Sequence, residues 1–309
     1  MCILFGALLT VLPSRSQPAS DALAEARSLL NEGKLAESEA TLRKDLLVSP
    51  ASPDAHFLLG YVLFRMKKAK ESLAEFTEGA KYRRPAANEL KVVASDYVLL
   101  GDFGDADKWF TEVVAESPDD ADAWYLLGRT KFNENDFQAA KSDFEHALAL
   151  HPKYVEAENN IGLSWKELNN LEQAQASFQM AIDWQGDTPT DEQPFLNLGT
   201  LLAGENEIDK AIPLLTKAAT LAPNNPRIRE ELGQVYLTHQ DLPKAQAELE
   251  KAVALAPDIS ALHFKLGQIY RKEGLRDRAQ QEFDICSKLN STHSSPATPN
   301  PLTAGPRSH

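Results

Sequence analysis

Cysteine is nearly absent: the 309 residues hold two, Cys2 and Cys286, at opposite ends of the chain. Neither a disulfide framework nor a four-ligand zinc site can be built from them. The seven histidines, at positions 56, 146, 151, 239, 263, 293 and 309, share no metal-ligand spacing. Catalytic signatures are missing too: no HExxH helix, no GxSxG elbow, no phosphate-cradling glycine loop and no CxxC occurs. The sequence therefore asks for no catalytic residue, no metal and no cofactor. Positive charge is in deficit. A net charge of -13 and a pI near 5.1 disfavour nonspecific attraction to nucleic acid or to an anionic membrane surface. The apolar run from Met1 to Leu12 is too short to cross a bilayer as a helix.

What is present is periodicity. Between Ala121 and Tyr154, Trp124, Leu127 and Gly128 mark one face of a first segment, and Phe137, Ala140, Phe144 and Ala147 recur at steps of three and four along a second. That spacing predicts two helices. Asn133 to Asp136 breaks the pattern as a polar turn, and His151-Pro152 stops the second helix, because proline lacks an amide donor and restricts the residue before it. One such hairpin cannot bury its own apolar face and needs copies on either side.

The copies are there. Gly128 has counterparts at Gly60, Gly162, Gly199, Gly233 and Gly267, a 34-residue period with one exception. The matching residues Trp124, Leu127, Gly128, Ala140, Phe144, Ala147 and Pro152 resemble the signature of the tetratricopeptide repeat family, with Lys131 departing at the usual tyrosine. The resemblance implies an all-α, right-handed superhelical solenoid of about eight helix-turn-helix repeats. They are expected over 19–52, 53–86, 87–120, 121–154, 155–188, 192–225, 226–259 and 260–293. The exception is the loop from Gln185 to Asp191, read as surface slack because added loop length costs little free energy. Small residues at the eighth and twentieth positions let the two helices approach, and the ring or leucine at the twenty-fourth is expected to fill the space between successive hairpins. Cys286 stands in a small-residue slot as a buried spacer. His56 and His263 fall in the tryptophan slot, where a partly buried packing role is the default.

At the ends, 1–16 reads as a secretory signal peptide: the apolar run is followed by Pro13 and the small residues Ser14 and Ser16 flanking Arg15. No Lys or Arg precedes the run, which leaves open an apolar element capping the first repeat. Export would place the chain in the periplasm or at the cell envelope; the alternative is cytoplasmic. Residues 294–309, rich in Pro, Ser and Thr, read as a disordered tail.

The family supplies binding surfaces, and the resemblance places positions two, five, nine, twelve and thirteen of each repeat in a concave groove. In repeats two to four it implies Phe57, Tyr61, Phe64, Arg65, Lys91, Ser95, Val98, Leu99, Tyr125, Arg129, Phe132 and Asn133 as peptide-contacting, with partial burial of rings such as Phe64 and Phe132 the competing reading. A second groove candidate consists of Asn160, Asn197 and Arg227. The carboxylate clamp of chaperone-binding members is not reproduced, since Asn159, Leu163 and Glu231 occupy its places. The clusters Arg65-Lys67-Lys68-Lys70 and Lys81-Arg83-Arg84 read as solvated turns, with an acidic ligand the minority reading. The expected function is a noncatalytic scaffold binding a peptide or helix of a partner protein. The alternative is an accessory subunit of a cell-envelope assembly or transport machine that uses its convex or end surfaces.

Overall fold

The computed structural model describes residues 19–293, and these form α-helices joined by short turns. The proposed leader and tail lie outside the described residues. The chain divides into two compact units at Pro152. The first holds α1 (Ala19–Asn31), α2 (Leu35–Val48), α3 (Pro53–Arg65), α4 (Ala69–Ala80), α5 (Ala87–Leu100), α6 (Phe103–Glu116), α7 (Ala121–Asn133) and α8 (Phe137–Leu150). The second holds α9 (Val155–Glu167), α10 (Leu171–Gln185), α11 (Gln193–Gly204), α12 (Ile208–Leu221), α13 (Pro226–Thr238), α14 (Leu242–Leu255), α15 (Ser260–Lys272) and α16 (Arg276–His293). Asn133, expected in a turn, closes α7 instead.

Each hairpin is pinned where its helices cross. A methyl group added at Gly128 would meet the Phe144 ring at 2.7 Å, and one at Gly162 would meet Phe178 at 2.6 Å. The ring at the twenty-fourth position thus sits on the glycine of its own hairpin, a nearer partner than the gap between hairpins where it was expected. Phe110, Phe144 and Phe178 are fully buried. Burying a side chain of this size is worth about 1.5–3 kcal/mol.

Polar ends are closed by side chains the repeat supplies. Asp102, Asp136, Asn170 and Asp241 each accept the amide hydrogen three residues on and so cap the second helix of their hairpins. The residue before each of these, at the turn, has a positive φ: Gly101, Asn135, Asn169 and Gln240.

The tryptophan slot does more than pack. His56, Trp124, Arg229 and His263 each face the carbonyl of the proline six residues earlier, Pro50, Pro118, Pro223 and Pro257 respectively. His56 also meets Glu75 at 2.7 Å, Arg229 meets Glu248 at 3.0 Å and His263 meets Glu282 at 2.6 Å. These ties join the end of one hairpin to both helices of the next. In the repeat with Trp124 the equivalent carboxylate is Asp143, whose Oδ2 is buried without a partner; burial pushes it up to about 6, with Lys131 opposing.

Two expectations change. Cys286 is only half-buried, because among the described residues no hairpin packs beyond α16. The loop after α10 is not slack: Gln185 accepts from the amides of Thr190 and Asp191 at 3.1 and 2.9 Å and donates to the Asp191 carbonyl at 3.2 Å.

Candidate peptide-binding groove

Helical spacing within α3, α5 and α7 brings most of the twelve groove residues onto two cavities of the first unit. One, of about 430 Å³, is lined by Phe57 and Tyr61 from α3 and Lys91 from α5, together with Arg27 of α1, Leu58 and Val92. The other, of about 270 Å³, is lined by Phe64, Ser95, Val98, Leu99, Arg129 and Asn133, with Leu126 and Thr130 alongside. Arg65, Tyr125 and Phe132 line neither. Phe132 packs edge-on against Phe137 at 5.1 Å, while Tyr125 lies 5.8 Å from the buried ring of Phe144.

Two residues depart from the part expected of them. Phe57 is 3% exposed and forms a floor: it stacks on Phe76 at 5.7 Å and fills space left by Gly79, where four other repeats have alanine. Phe64 and Phe132, for which partial burial was the competing reading, are both half-buried. Lys91 is spent on Asp120 at 2.7 Å. Burial pushes the Asp120 carboxyl up, but the Lys91 and Ala123 hydrogen bonds outweigh it and hold it below its ordinary value. Its charge therefore anchors the start of α7.

Arg65 and Arg129 are different. Both are exposed, and each lies over the tyrosine four residues earlier, at 5.9 Å from the Tyr61 centroid and 5.8 Å from that of Tyr125. Neither guanidinium forms an ion pair among the described residues. Arg83 and Arg84, expected in a solvated turn, are instead engaged: Arg83 bridges Asp54 and Glu89 at 3.0 and 2.8 Å over the Phe57 ring, and Arg84 bridges Glu112 and Glu116. Arg83 thereby neutralises the two carboxylates at the rim of the larger cavity.

In the second unit, Asn197 gives its amide to Asn159 Oδ1 at 2.9 Å, and Asn160 turns its amide onto the Glu156 carbonyl at 2.7 Å. Both side chains are committed within the fold, and Arg227 alone of that candidate set is exposed. The sequence reading missed Leu58 and Leu126. They stand at the sixth position of their repeats, the same position that drew attention to Asn160 and Asn197.

Residues 23–88 with 94–132, residues 121–154 and residues 202–263 each match a family model described as tetratricopeptide repeat. The chain belongs to the tetratricopeptide repeat family. A tetratricopeptide repeat protein from Parabacteroides merdae has the same fold at a TM-score of 0.64, with 19% identity over 87% of this chain and 98% of its own. PilW, a type IV pilus biogenesis factor, follows at 0.59, with 20% identity over 67% of this chain and 94% of its own. At these identities the likeness is one of fold. Mouse BBSome complex member BBS4 is 26% identical over 146 residues, 47% of this chain and 27% of that protein. Human protein O-mannosyl-transferase TMTC3 is 24% identical over 140 residues, 41% of this chain and 15% of that protein. The chain thus spans only a small part of the curated relatives it matches. Tetratricopeptide arrays are in general noncatalytic scaffolds, and the fold of this chain is that of a scaffold for protein–protein interaction.

Proposed function

We propose that the face formed by α3, α5 and α7 binds a peptide or a helix of a partner protein. The observation that carries this is the pair of cavities, the smaller one apolar in its walls apart from Arg129, Ser95, Thr130 and Asn133, and the larger one lined in part by Tyr61, over which the exposed Arg65 lies without an ion pair. Large apolar side chains of a ligand would enter the cavities, and polar backbone groups would meet Ser95 and Asn133. Tyr61 and Tyr125 hold the arginines in place and offer flat apolar surface themselves. Affinity capture with the Tyr61→Ala/Tyr125→Ala variant tests the reading. Loss of the partners recovered by the unaltered chain is the expected result, and unchanged recovery would move the interface elsewhere.

We propose export as the setting, on the strength of the apolar run at Met1 to Leu12 and the small residues after Pro13. Fractionation with N-terminal sequencing checks this. A mature chain starting near Gln17 in the envelope fraction is expected, whereas an intact Met1 in the cytosol would overturn it.

A further inference from the structure

The turn from α3 to α4 carries Lys67 and Lys68, the first turn of α4 carries Lys70, and with Leu99 and Leu100 at the end of α5 they wall a surface cavity of about 470 Å³. Leu99, 51% exposed, is also in the wall of the smaller groove cavity, so the two cavities open on either side of one leucine. Lys68 is held by Glu39 at 3.1 Å, but Lys67 and Lys70 make no ion pair among the described residues. The one carboxylate on this wall, Glu71, faces Arg43 at 3.4 Å. Beyond Leu99 the only charged lining residue is Arg129. On a chain of net charge -13, a strip whose unpaired charges are all positive stands out against its surroundings.

Lys67 occupies its place at a backbone cost. Its φ is +60°, and in the other repeats the same turn position is Gly33, Gly101, Asn135, Asn169, Asn206, Gln240 or Gly274. Glycine and asparagine relieve the left-handed conformation and lysine does not. The lysine is therefore not there for the turn, and it lines the cavity instead.

We propose that this strip, which extends the groove reading above and rests on it, takes an acidic peptide segment bearing one large apolar side chain. The apolar group enters the cavity between Phe64, Val98 and Leu126, and the carboxylates lie across Leu99 against Lys67 and Lys70. A lipid surface fits less well: the apolar walls are concave, and the net charge of the chain repels anionic bilayers.

The test is selection of a random library of short displayed peptides on the full chain, followed by affinity measurement of the best binder. Acidic residues beside a single Leu, Ile, Phe or Trp are expected in the selected peptides. Lys67→Asn/Lys70→Gln, in which asparagine suits the turn as it does at Asn135, should weaken the best binder about tenfold and flatten its salt dependence. Leu99→Ser should weaken it while leaving the salt dependence intact. Binders with no acidic bias, indifferent to the lysine pair, would overturn this proposal and leave the groove reading standing. A library that yields no binder would overturn both. Vesicles of phosphatidylserine and phosphatidylcholine provide the remaining arm: lysine-dependent vesicle binding with no peptide selected would reassign the strip to a membrane.

Discussion

Asp96 is the residue least explained by packing. It is fully buried, neither carboxylate oxygen has a hydrogen-bond partner, and the neighbouring Ser72 hydroxyl is given to the Gly60 carbonyl at 2.8 Å. Burial pushes its carboxyl from 3.8 up to about 7, against a smaller pull from Ser72. The folded chain then holds this proton more tightly than the unfolded chain, so stability should fall as pH rises from about 4 to about 7 and level off above. Val62, Val235 and Ile269 fill the same position in other repeats. Asp96→Val is accordingly expected to raise the urea midpoint at pH 8 by the equivalent of a few kcal/mol, on the order of the shift itself, and to remove that part of the pH slope. A lower midpoint at pH 8 would mean that the carboxylate is satisfied in solution. A second prediction concerns the turn: Lys67→Gly and Gln240→Gly should each stabilise by about 1 kcal/mol in denaturant titrations, since both side chains sit at positive φ. At this scale the sequence was only partly legible. The repeat pattern places Asp96 in register with Val62, Val235 and Ile269 but cannot say that nothing answers its charge, and Lys91 reads as a groove residue until Asp120 is seen beside it.

The elements were legible almost throughout, because glycine at the eighth position and a ring or leucine at the twenty-fourth constrain the helix pair so tightly that the pattern leaves few alternatives. What stayed hidden was the polar stitching between hairpins. No periodicity reveals that a histidine at position 263 reaches back to the carbonyl of Pro257 and across to Glu282. His263→Leu keeps the apolar bulk and strips both contacts. It should cost about 1–3 kcal/mol, the usual penalty for leaving a buried acceptor unmet, measured by thermal or urea unfolding. A neutral outcome would mean that water replaces the ring. The groove shows the same division: ring positions follow from the repeat, whereas the burial of Phe57 depends on Gly79, one residue on a different helix.

For the molecule as a whole, the repeat reading gave one array over 19–293, and within it the structure divides into two compact units at Pro152, beside Lys153, which with Gly186 is one of two inter-repeat positions of positive φ among the described residues. The division was not visible in the sequence, since the repeat at 155–188 keeps the same period and signature as the one before it. In a repeat array, stability is a sum of local terms, so a lesion is felt chiefly by its neighbours. Gly162→Leu, which drives a side chain into Phe178, should cost about 1–3 kcal/mol. Trp165 and Trp184, read in a Trp109→Phe/Trp124→Phe background, should register that loss more strongly than Trp109 and Trp124 read in the reciprocal background. Equal shifts would show that the two units unfold together. The Gln185 clasp bears on how the protein can be handled. Because one side chain fixes both ends of the stretch from Gly186 to Asp191, the residues between them are insulated from the helices on either side. A fluorescent label or a short epitope inserted after Asp187 would hang from a closed ring, leaving the second unit intact and the groove in the first free to be titrated.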